Sequence, residues 1–358
     1  MAERNTSFNI ILYNSVAVII GLLISTGLLA FMKINPFDIV ARTLSKIFAD
    51  KYNIGEIFVK ATPLIFTSLA FAFTYKANLF NIGAQGQFYA GSIAAVSLSL
   101  LLGGRVPRVL LILIVFITSA LAGALVGGCI GIAKAKRNAN EFLVSMMSTY
   151  IVNAVMDYLL RTALQETKAE YMQTDAIVPQ SYLSIIIPGT RVHSGFIIAV
   201  LAAIAVWIIL DKTILGFRIR AVGMNKHAAE LGGINTKLIF VISFLIAGGL
   251  AGMAGVTEIN GVQHMLLRNF NSSIGSFGIG IAILANANPI GCIFASILFG
   301  FLNVIGTTMG RLPGTAIPAS LVELIEGIVM TCVIIATALR VYMGGKAEKQ
   351  RMKEGGEA

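Results

Sequence analysis

Polar side chains inside strongly apolar segments are the residues of this chain that could do chemistry. Met146, Tyr150, Asn153 and Asp157 follow one another at offsets of 0, 4, 7 and 11, so a helix would place them on one face. An aromatic ring, an amide and a carboxylate on one face would suit a neutral solute that carries hydroxyl groups and a ring. The alternative is helix packing with one interhelical hydrogen bond.

A second set of candidates consists of carboxylates. Glu323 and Glu326 lie three residues apart in the last apolar segment and would be neighbours on a helix. Two close carboxylates inside a membrane can form a proton relay or an ion site. Alternatively, both lie near an outer mouth, after Pro313 and Pro318, where water partly solvates them.

Amide side chains interrupt the apolar pattern twice. The first group lies between two apolar segments and predicts either a capped cytoplasmic turn or an unwound segment that shapes a pathway. Its candidate residues are Asn78, Asn81 and Gln85. In the second group, Asn286 and Asn288 lie at the end of the segment 275–287. This segment is too short to cross a bilayer as one straight helix, since about 13 residues rise roughly 20 Å. An interrupted segment of this kind indicates a transport path.

Composition excludes several classes of protein. The chain has 358 residues, of which 56% are hydrophobic and 12% charged, and its mean hydropathy is +0.83. Soluble chains carry about 25% charged residues, so this composition is typical of an integral membrane protein with many spans. Three cysteines without CxxC spacing and three separated histidines leave nothing to build a zinc site or a catalytic triad. No GxxxxGK[ST] loop occurs, so ATP hydrolysis is not expected of this chain.

Ten apolar segments predict about ten transmembrane helices in an all-α polytopic membrane protein. They lie at about 8–31, 57–75, 84–102, 108–133, 141–160, 193–211, 237–257, 275–287, 289–310 and 316–341. An even number of spans puts both termini on one side of the membrane. The basic clusters at 134–137, at 212–237 and in the C-terminal tail then lie in the cytoplasm, as the positive-inside rule requires. The formal charge of +10 follows from this topology, so no nucleic-acid partner is expected.

We divide the chain into three segments. Residues 1–56 hold the first span and an interfacial segment, residues 57–341 form the transmembrane core, and residues 342–358 form a charged cytoplasmic tail. Residues 32–55 fit the positive-inside rule poorly, because they carry four basic residues and would lie outside. Acidic residues in and next to this segment offset part of its positive charge, but the disagreement with the rule remains.

A polar, basic island at 216–234 separates two long apolar segments. Its pattern predicts a short amphipathic helix with small apolar residues for contact and with Gly232 and Gly233 at its end. One interpretation is a solvated loop that fixes the orientation of the protein by its charge. The other is a surface on which a water-soluble protein docks on the cytoplasmic side.

Five motifs between about residues 57 and 340 are similar to those of a known family. They are Thr62-Pro63-Leu64 with Asn78 to Gln87, Asn140-Glu141, Arg218 to Ile234, Phe277 to Gly300, and Leu321 to Gly327. Together they resemble the permeases of ATP-driven (ABC) importers of the ribose/branched-chain amino acid superfamily, and most of all their nucleoside and simple-sugar branch. Two features depart from the family's pattern: Gln85 stands where an acid is usual, and 285–288 replaces a stretch that is commonly glycine-rich.

The resemblance implies a transport subunit with the type II importer fold and no catalytic residues. The basic island would be the coupling helix that inserts into a cytoplasmic ATPase. Its coupling residues would be Arg218, Arg220, Gly223, Asn225, Ala228, Ala229 and Gly233. The translocation path would hold Asn78, Asn81, Gln85, Tyr150, Asn153, Asp157, Asn286, Asn288, Glu323 and Glu326.

The resemblance also implies the partners and the location of the chain. The partners would be an ABC ATPase, a second permease, either a different homologous chain or a copy, and an extracytoplasmic substrate-binding lipoprotein. ATP would be used by the ATPase, with no cofactor or metal on this chain. The protein would lie in a bacterial cytoplasmic membrane.

Nucleosides are the expected solutes, with simple sugars such as ribose or galactose as the alternative. A secondary transporter that moves protons or cations through Asp157, Glu323 and Glu326 is a different class, and an uncoupler would stop it directly. A membrane-embedded enzyme is a third class, and it would turn over a substrate after purification without partners.

Overall fold

Two compact units make up the chain. The larger comprises residues 50–301, and the smaller comprises residues 1–49 together with 302–358. The computed structural model describes residues 16–21, 23–27, 35–168, 171–312, 321, 323–336 and 339. The units do not follow the predicted boundaries at residues 56 and 341, which stay predictions.

Regular structure in the described residues is helical. The helices are α1 (Pro36–Ala49), α2 (Lys51–Tyr75), α3 (Ala84–Leu102), α4 (Arg108–Arg137), α5 (Glu141–Leu160), α6 (Gly195–Lys212), α7 (Ile214–Met224), α8 (Lys226–Leu231), α9 (Thr236–Glu258), α10 (Ile274–Leu284) and α11 (Pro289–Met309). A 3-10 turn occupies Pro179–Ser181, and a π-helix continues α9 over Ile259–Gln263. Helical residues also occur at 323–336.

Six of these helices are long and apolar enough to cross a membrane: α2, α4, α5, α6, α9 and α11. Helices α3 and α10 occupy predicted apolar segments as well, so each predicted segment from 57 to 310 contains a helix. The predicted segments 8–31 and 316–341 lie partly outside the described residues. An all-helical fold with several spans is therefore confirmed, whereas the number ten and the type II importer fold stay predictions.

Helix α2 lies at the centre of the larger unit and packs against α6, α9 and α10. Its side chains are buried almost continuously from Gly55 to Thr74. Asp50 caps its beginning, because the carboxylate accepts a hydrogen bond from Tyr52 N at 2.9 Å. A helix that is apolar on all sides is expected in such a core position.

Helices α4 and α9 approach closely because glycines of one helix face small residues of the other. A Cβ added at Gly123 would collide with the Gly248 carbonyl oxygen, and a Cβ added at Gly252 would collide with the Ser119 carbonyl oxygen. Apolar side chains gain little by leaving lipid for a helix interface, so close van der Waals packing of small residues holds such helices together. The α4–α9 pair is therefore a main structural support of the larger unit.

The smaller unit contains helix α1, within the residues for which the sequence predicts an interfacial segment. In α1, Ile39 and Ile47 are buried, whereas Phe37 and Phe48 are exposed. Ile39 packs with Met309 and Leu321 of the same unit. The place of α1 at a membrane interface stays a prediction.

The neighbouring glycines Gly248 and Gly249 give a matched test of the α4–α9 packing. Gly248→Ala is expected to lower the melting temperature of the detergent-purified protein, because overpacking of this kind costs about 1–3 kcal/mol. Gly249→Ala is the control, since its added Cβ would meet nothing closer than the Ala120 carbonyl oxygen at 3.5 Å. Equal melting temperatures for both variants would contradict the close packing.

Candidate coupling surface and solute path

The basic island forms two short helices, α7 and α8, in place of the single helix predicted within 216–234. Asn225 interrupts the helical path, since its backbone is extended with φ −157° and ψ 107°. Its side-chain oxygen accepts a hydrogen bond from Ala228 N at 3.1 Å and so caps the beginning of α8. The prediction of one helix was wrong because Asn at this position stabilises a helix start more than a helix interior.

One side of helix α7 packs against the ends of α2 and α6. A Cβ added at Gly223 would collide with the carbonyl oxygen of Lys76, the residue that follows α2. The Arg220 guanidinium donates to the Leu210 carbonyl oxygen at the end of α6, and its Nη1 lies 3.3 Å from Asp211 Oδ1. Gly223 and Arg220 therefore position the island against the ends of α2 and α6.

The opposite side of the island is exposed and partly apolar. Met224 is 83% exposed and Leu231 is 91% exposed. Other exposed residues on it are Arg218, Asn225, Lys226, His227 and Ala228, whereas Ala229 is buried. We call Arg218, Met224, Asn225, Lys226, Ala228 and Leu231 the coupling surface. Two exposed apolar side chains among cationic ones form a surface suited to contact with another protein.

The end of α8 is held by local hydrogen bonds. Thr236 Oγ1 donates to Glu230 Oε1 at 2.6 Å, and this hydrogen bond lowers the pKa of Glu230 below its ordinary value. Gly233 has a φ of +79°, a left-handed conformation that favours glycine, and it joins α8 to α9. The predicted coupling residue Gly233 thus forms the turn.

A cleft of about 200 Å³ opens beside the coupling surface. Its lining includes Asn78, Lys134, Glu141, Asn225 and Lys226. The ammonium of Lys134 lies 2.7 Å from Glu141 Oε2, so these two charges neutralise each other. The cleft is thus a polar recess between the turn after α2 and the island.

The amides predicted for the path make hydrogen bonds within the protein. Asn81 is buried and exchanges two hydrogen bonds with Gln87, at 2.9 and 3.1 Å. Gln85 Nε2 donates to the Asn271 carbonyl oxygen at 3.0 Å, and Gln85 Oε1 accepts from Gly275 N at 2.7 Å. Residues 76–83 therefore form a turn, and Gln85 holds the beginning of α10.

The predicted polar face of α5 is present on a regular helix. Tyr150 is exposed, and the buried Asn153 Oδ1 has no hydrogen-bond partner among the described residues. Asp157 pairs with Arg268, whose Nη2 lies 3.0 Å from Asp157 Oδ2. Sequence reasoning missed Arg268, although an acid inside an apolar segment should have prompted a search for a basic partner.

The remaining path candidates have separate environments. Asn288 caps α11, because its Oδ1 accepts from Ile290 N at 2.9 Å, and Asn286 has a left-handed φ of 52°. In the smaller unit Glu326 is buried and accepts from Asn303 Nδ2 at 2.9 Å, whereas Glu323 is exposed. Pro313 and Pro318, which the sequence analysis placed before these acids, lie outside the described residues.

A buried polar cluster lies at the end of α2 opposite Lys76. Glu56 accepts two hydrogen bonds from Arg191, at 2.7 and 2.6 Å. His193 is 1% exposed, and its Nε2 has no partner among the described residues. Burial, followed by the nearby His264 and Arg191, lowers the pKa of His193 to about 4. Sequence reasoning missed this cluster, because its residues are far apart in the chain.

Acid is expected to destabilise this cluster. The pKa of His193 is about 4 in the folded protein and about 6.5 in an unfolded chain. The unfolded state therefore binds more protons, and the free energy of unfolding decreases as the pH falls from about 6.5 to about 4, by at most about 3 kcal/mol. Melting temperatures of the purified protein across this range would measure the effect.

His193→Gln should remove a large part of that pH dependence. His227→Gln is the control, because His227 is exposed on α8. An unchanged pH dependence in His193→Gln would contradict the assignment to His193.

The chain is similar in sequence to known transport proteins. Residues 53–335 match the family described as branched-chain amino acid transport system / permease component. The guanosine ABC transporter permease protein NupP of Bacillus subtilis is 31% identical over 93% of this chain and 96% of its own length. The glucose ABC transporter permease protein TsgB13 of Haloferax volcanii is 30% identical over 93% and 90%. The nucleoside ABC transporter permease protein NupB of Lactococcus lactis is 28% identical over 96% and 97%. No solved structure matches this chain.

Proposed function

Because the chain belongs to the family of branched-chain amino acid transport system permease components, we propose that it forms the translocation path of an ABC importer for nucleosides. The observation that carries this proposal is the alignment of the guanosine and nucleoside permeases with 93% and 96% of the chain. The glucose permease aligns at 30% identity over 93% of the chain, so simple sugars are the second candidate solutes. Transport would proceed by alternating access.

A cytoplasmic ATPase docks, in this proposal, on the coupling surface. Met224 and Leu231 would enter its cleft, and Arg218 and Lys226 would contact its acidic side chains. Gly223 and Arg220 would pass the movement of the island on to α2 and α6, since both make backbone contacts there. Close-packed elements of this kind move as rigid bodies.

The exposed face of α5 is our proposed wall of the path. Tyr150 offers a ring for stacking, Asn153 offers an amide, and Asp157 is neutralised by Arg268. A paired carboxylate is poorly suited to carry protons, which disfavours a proton-driven transporter. Asn81, Gln85, Asn286 and Asn288 would shape the path through the turns that they hold, and Asn78, Glu323 and Glu326 stay candidates.

The importer would contain further chains. We propose an ABC ATPase that uses ATP, a second permease that covers the exposed face of α5, and an extracytoplasmic substrate-binding lipoprotein. This chain would bind no cofactor or metal of its own. It would lie in a bacterial cytoplasmic membrane with both termini in the cytoplasm.

Leu231→Glu and Met224→Glu test the coupling surface. Each is expected to reduce the amount of ATPase that co-purifies with the tagged permease by about tenfold or more, because a buried apolar anchor of an interface contributes about 2 kcal/mol or more. Tyr171→Glu is the control, since Tyr171 is also exposed but lies in the loop between α5 and α6. Wild-type amounts of ATPase with both α7–α8 variants would disprove docking there.

Uptake of labelled guanosine, uridine and ribose tests the solute. In cells that lack only this chain, nucleoside uptake should fall to background, while ribose uptake is unchanged, and the restored chain should reverse the loss. Loss of ribose uptake alone would support the sugar importer instead. Unchanged uptake of all three would contradict both.

A further inference from the structure

The chain between the π-helix and α10 runs along α3 without regular structure. At one end of α3, Asn260 Nδ2 donates to Ser99 Oγ at 2.9 Å. Toward the other end, the Tyr89 hydroxyl donates to the Phe270 carbonyl oxygen at 3.1 Å, and Gln85 binds Asn271. From Gln85 to Ser99 a helix rises about 21 Å, most of the roughly 30 Å hydrocarbon core. If α3 crosses the bilayer as the sequence predicts, residues 264–273 are irregular backbone at membrane depth, and we call them the re-entrant segment.

Hydrogen bonds from the loop between α5 and α6 support the re-entrant segment. Thr174 N donates to the Leu266 carbonyl oxygen at 3.0 Å, and Arg268 N donates to the Met172 carbonyl oxygen at 3.1 Å. The segment bends through left-handed residues, with φ 60° at His264 and other positive values at Asn269 and Asn271. Irregular backbone at this depth persists only where protein buries it or where it lines an aqueous cavity.

The re-entrant segment has buried side chains that anchor it and exposed side chains, among them Arg268. Leu266 and Phe270 are buried in the core of the larger unit. Between them, the side chain of Arg268 is 43% exposed, and that of its partner Asp157 is 22% exposed. The pair lies near the end of α5, where a half-exposed ion pair is unfavourable against lipid, so it faces water or protein. The face of α5 that carries Tyr150 and Asp157 is thus turned away from lipid.

The guanidinium of Arg268 has donors left over after it pairs with Asp157. Nε lies 3.1 and 3.2 Å from the two carboxylate oxygens, and Nη2 lies 3.0 Å from Oδ2. Arginine carries five N–H donors and no acceptor. No described residue accepts a hydrogen bond from Nη1. Meanwhile Asn153, one turn before Asp157 on α5, has an unpartnered buried oxygen.

We propose that Arg268 is a specificity-determining residue of the path, which donates a hydrogen bond through Nη1 to a ring carbonyl oxygen of an uncharged solute. The Asp157 carboxylate holds the guanidinium in place and cancels its charge, so the site does not favour an anion. The guanidinium has only hydrogen-bond donors. It therefore binds a solute with a carbonyl oxygen at this position and disfavours a solute with an amino group there. Tyr150, exposed on the same face, offers a stacking surface for the ring. This inference rests on the proposed function as a nucleoside importer.

Arg268→Lys separates recognition from structure, because it keeps the positive charge beside Asp157 and removes the planar fork of donors. In cells that carry the variant in place of the native copy, uptake of guanosine and uridine should fall by about tenfold or more. Adenosine bears an amino group where guanosine bears its C6 carbonyl, and cytidine bears one where uridine bears its C4 carbonyl. Uptake of adenosine and cytidine should therefore fall by a smaller factor. Amounts of the variant and of co-purified ATPase should equal those of the wild type.

Two variants complete the test. Arg161→Lys is the matched control, because Arg161 is exposed at the end of the same helix as Asp157, and it should transport normally. The exchange Asp157→Arg with Arg268→Asp keeps an ion pair but moves the guanidinium to α5, so the variant should assemble with the ATPase as the wild type does but should not support guanosine uptake.

Three results would overturn the assignment of Arg268. They are wild-type guanosine uptake by Arg268→Lys, an equal loss for carbonyl-bearing and amino-bearing nucleosides, and full guanosine uptake by the exchanged pair. Absence of nucleoside uptake by the wild-type chain would instead refute the proposed function itself.

Discussion

Every polar backbone group inside a bilayer must find its partner within the protein, and the larger unit is organised around that constraint. Most of it is met by helices. Where the chain leaves helical structure, side chains of α3 bind its backbone: Tyr89 donates to the Phe270 carbonyl oxygen, and Gln85 binds the Asn271 carbonyl oxygen and Gly275 N. Helix α3 therefore holds the irregular backbone of the re-entrant segment in place. This backbone in turn positions the side chain of Arg268.

Close backbone contacts at glycines join helices within the larger unit. Glycines bring α4 to α9 and bring α7 to the turn after α2, where any larger residue would collide. Helix α2 is buried along nearly its whole length, and close-packed interiors have low compressibility. A displacement at Gly223 would therefore be transmitted to α2 with little loss. In the proposed function, a movement of α7 and α8 would reach the buried α2 without a dedicated hinge.

Several charges in the described part of the larger unit that are not fully exposed form ion pairs. Glu56 pairs with Arg191 and Asp157 pairs with Arg268. Paired charges keep the interior close to neutral while leaving single hydrogen-bond donors and acceptors available. Such an interior suits an uncharged polar solute better than an ion, in agreement with the nucleoside and sugar permeases that resemble this chain.

The sequence by itself determined the membrane class, the positions of the apolar helices from 57 to 310 and the basic island, because these depend on hydrophobic runs that are local in the chain. It also grouped Tyr150, Asn153 and Asp157 on one face, since helical period alone decides that. Only the tertiary structure decided that the island breaks at Asn225 and that Asp157 meets Arg268, because these outcomes depend on capping geometry and on contacts between residues 111 positions apart.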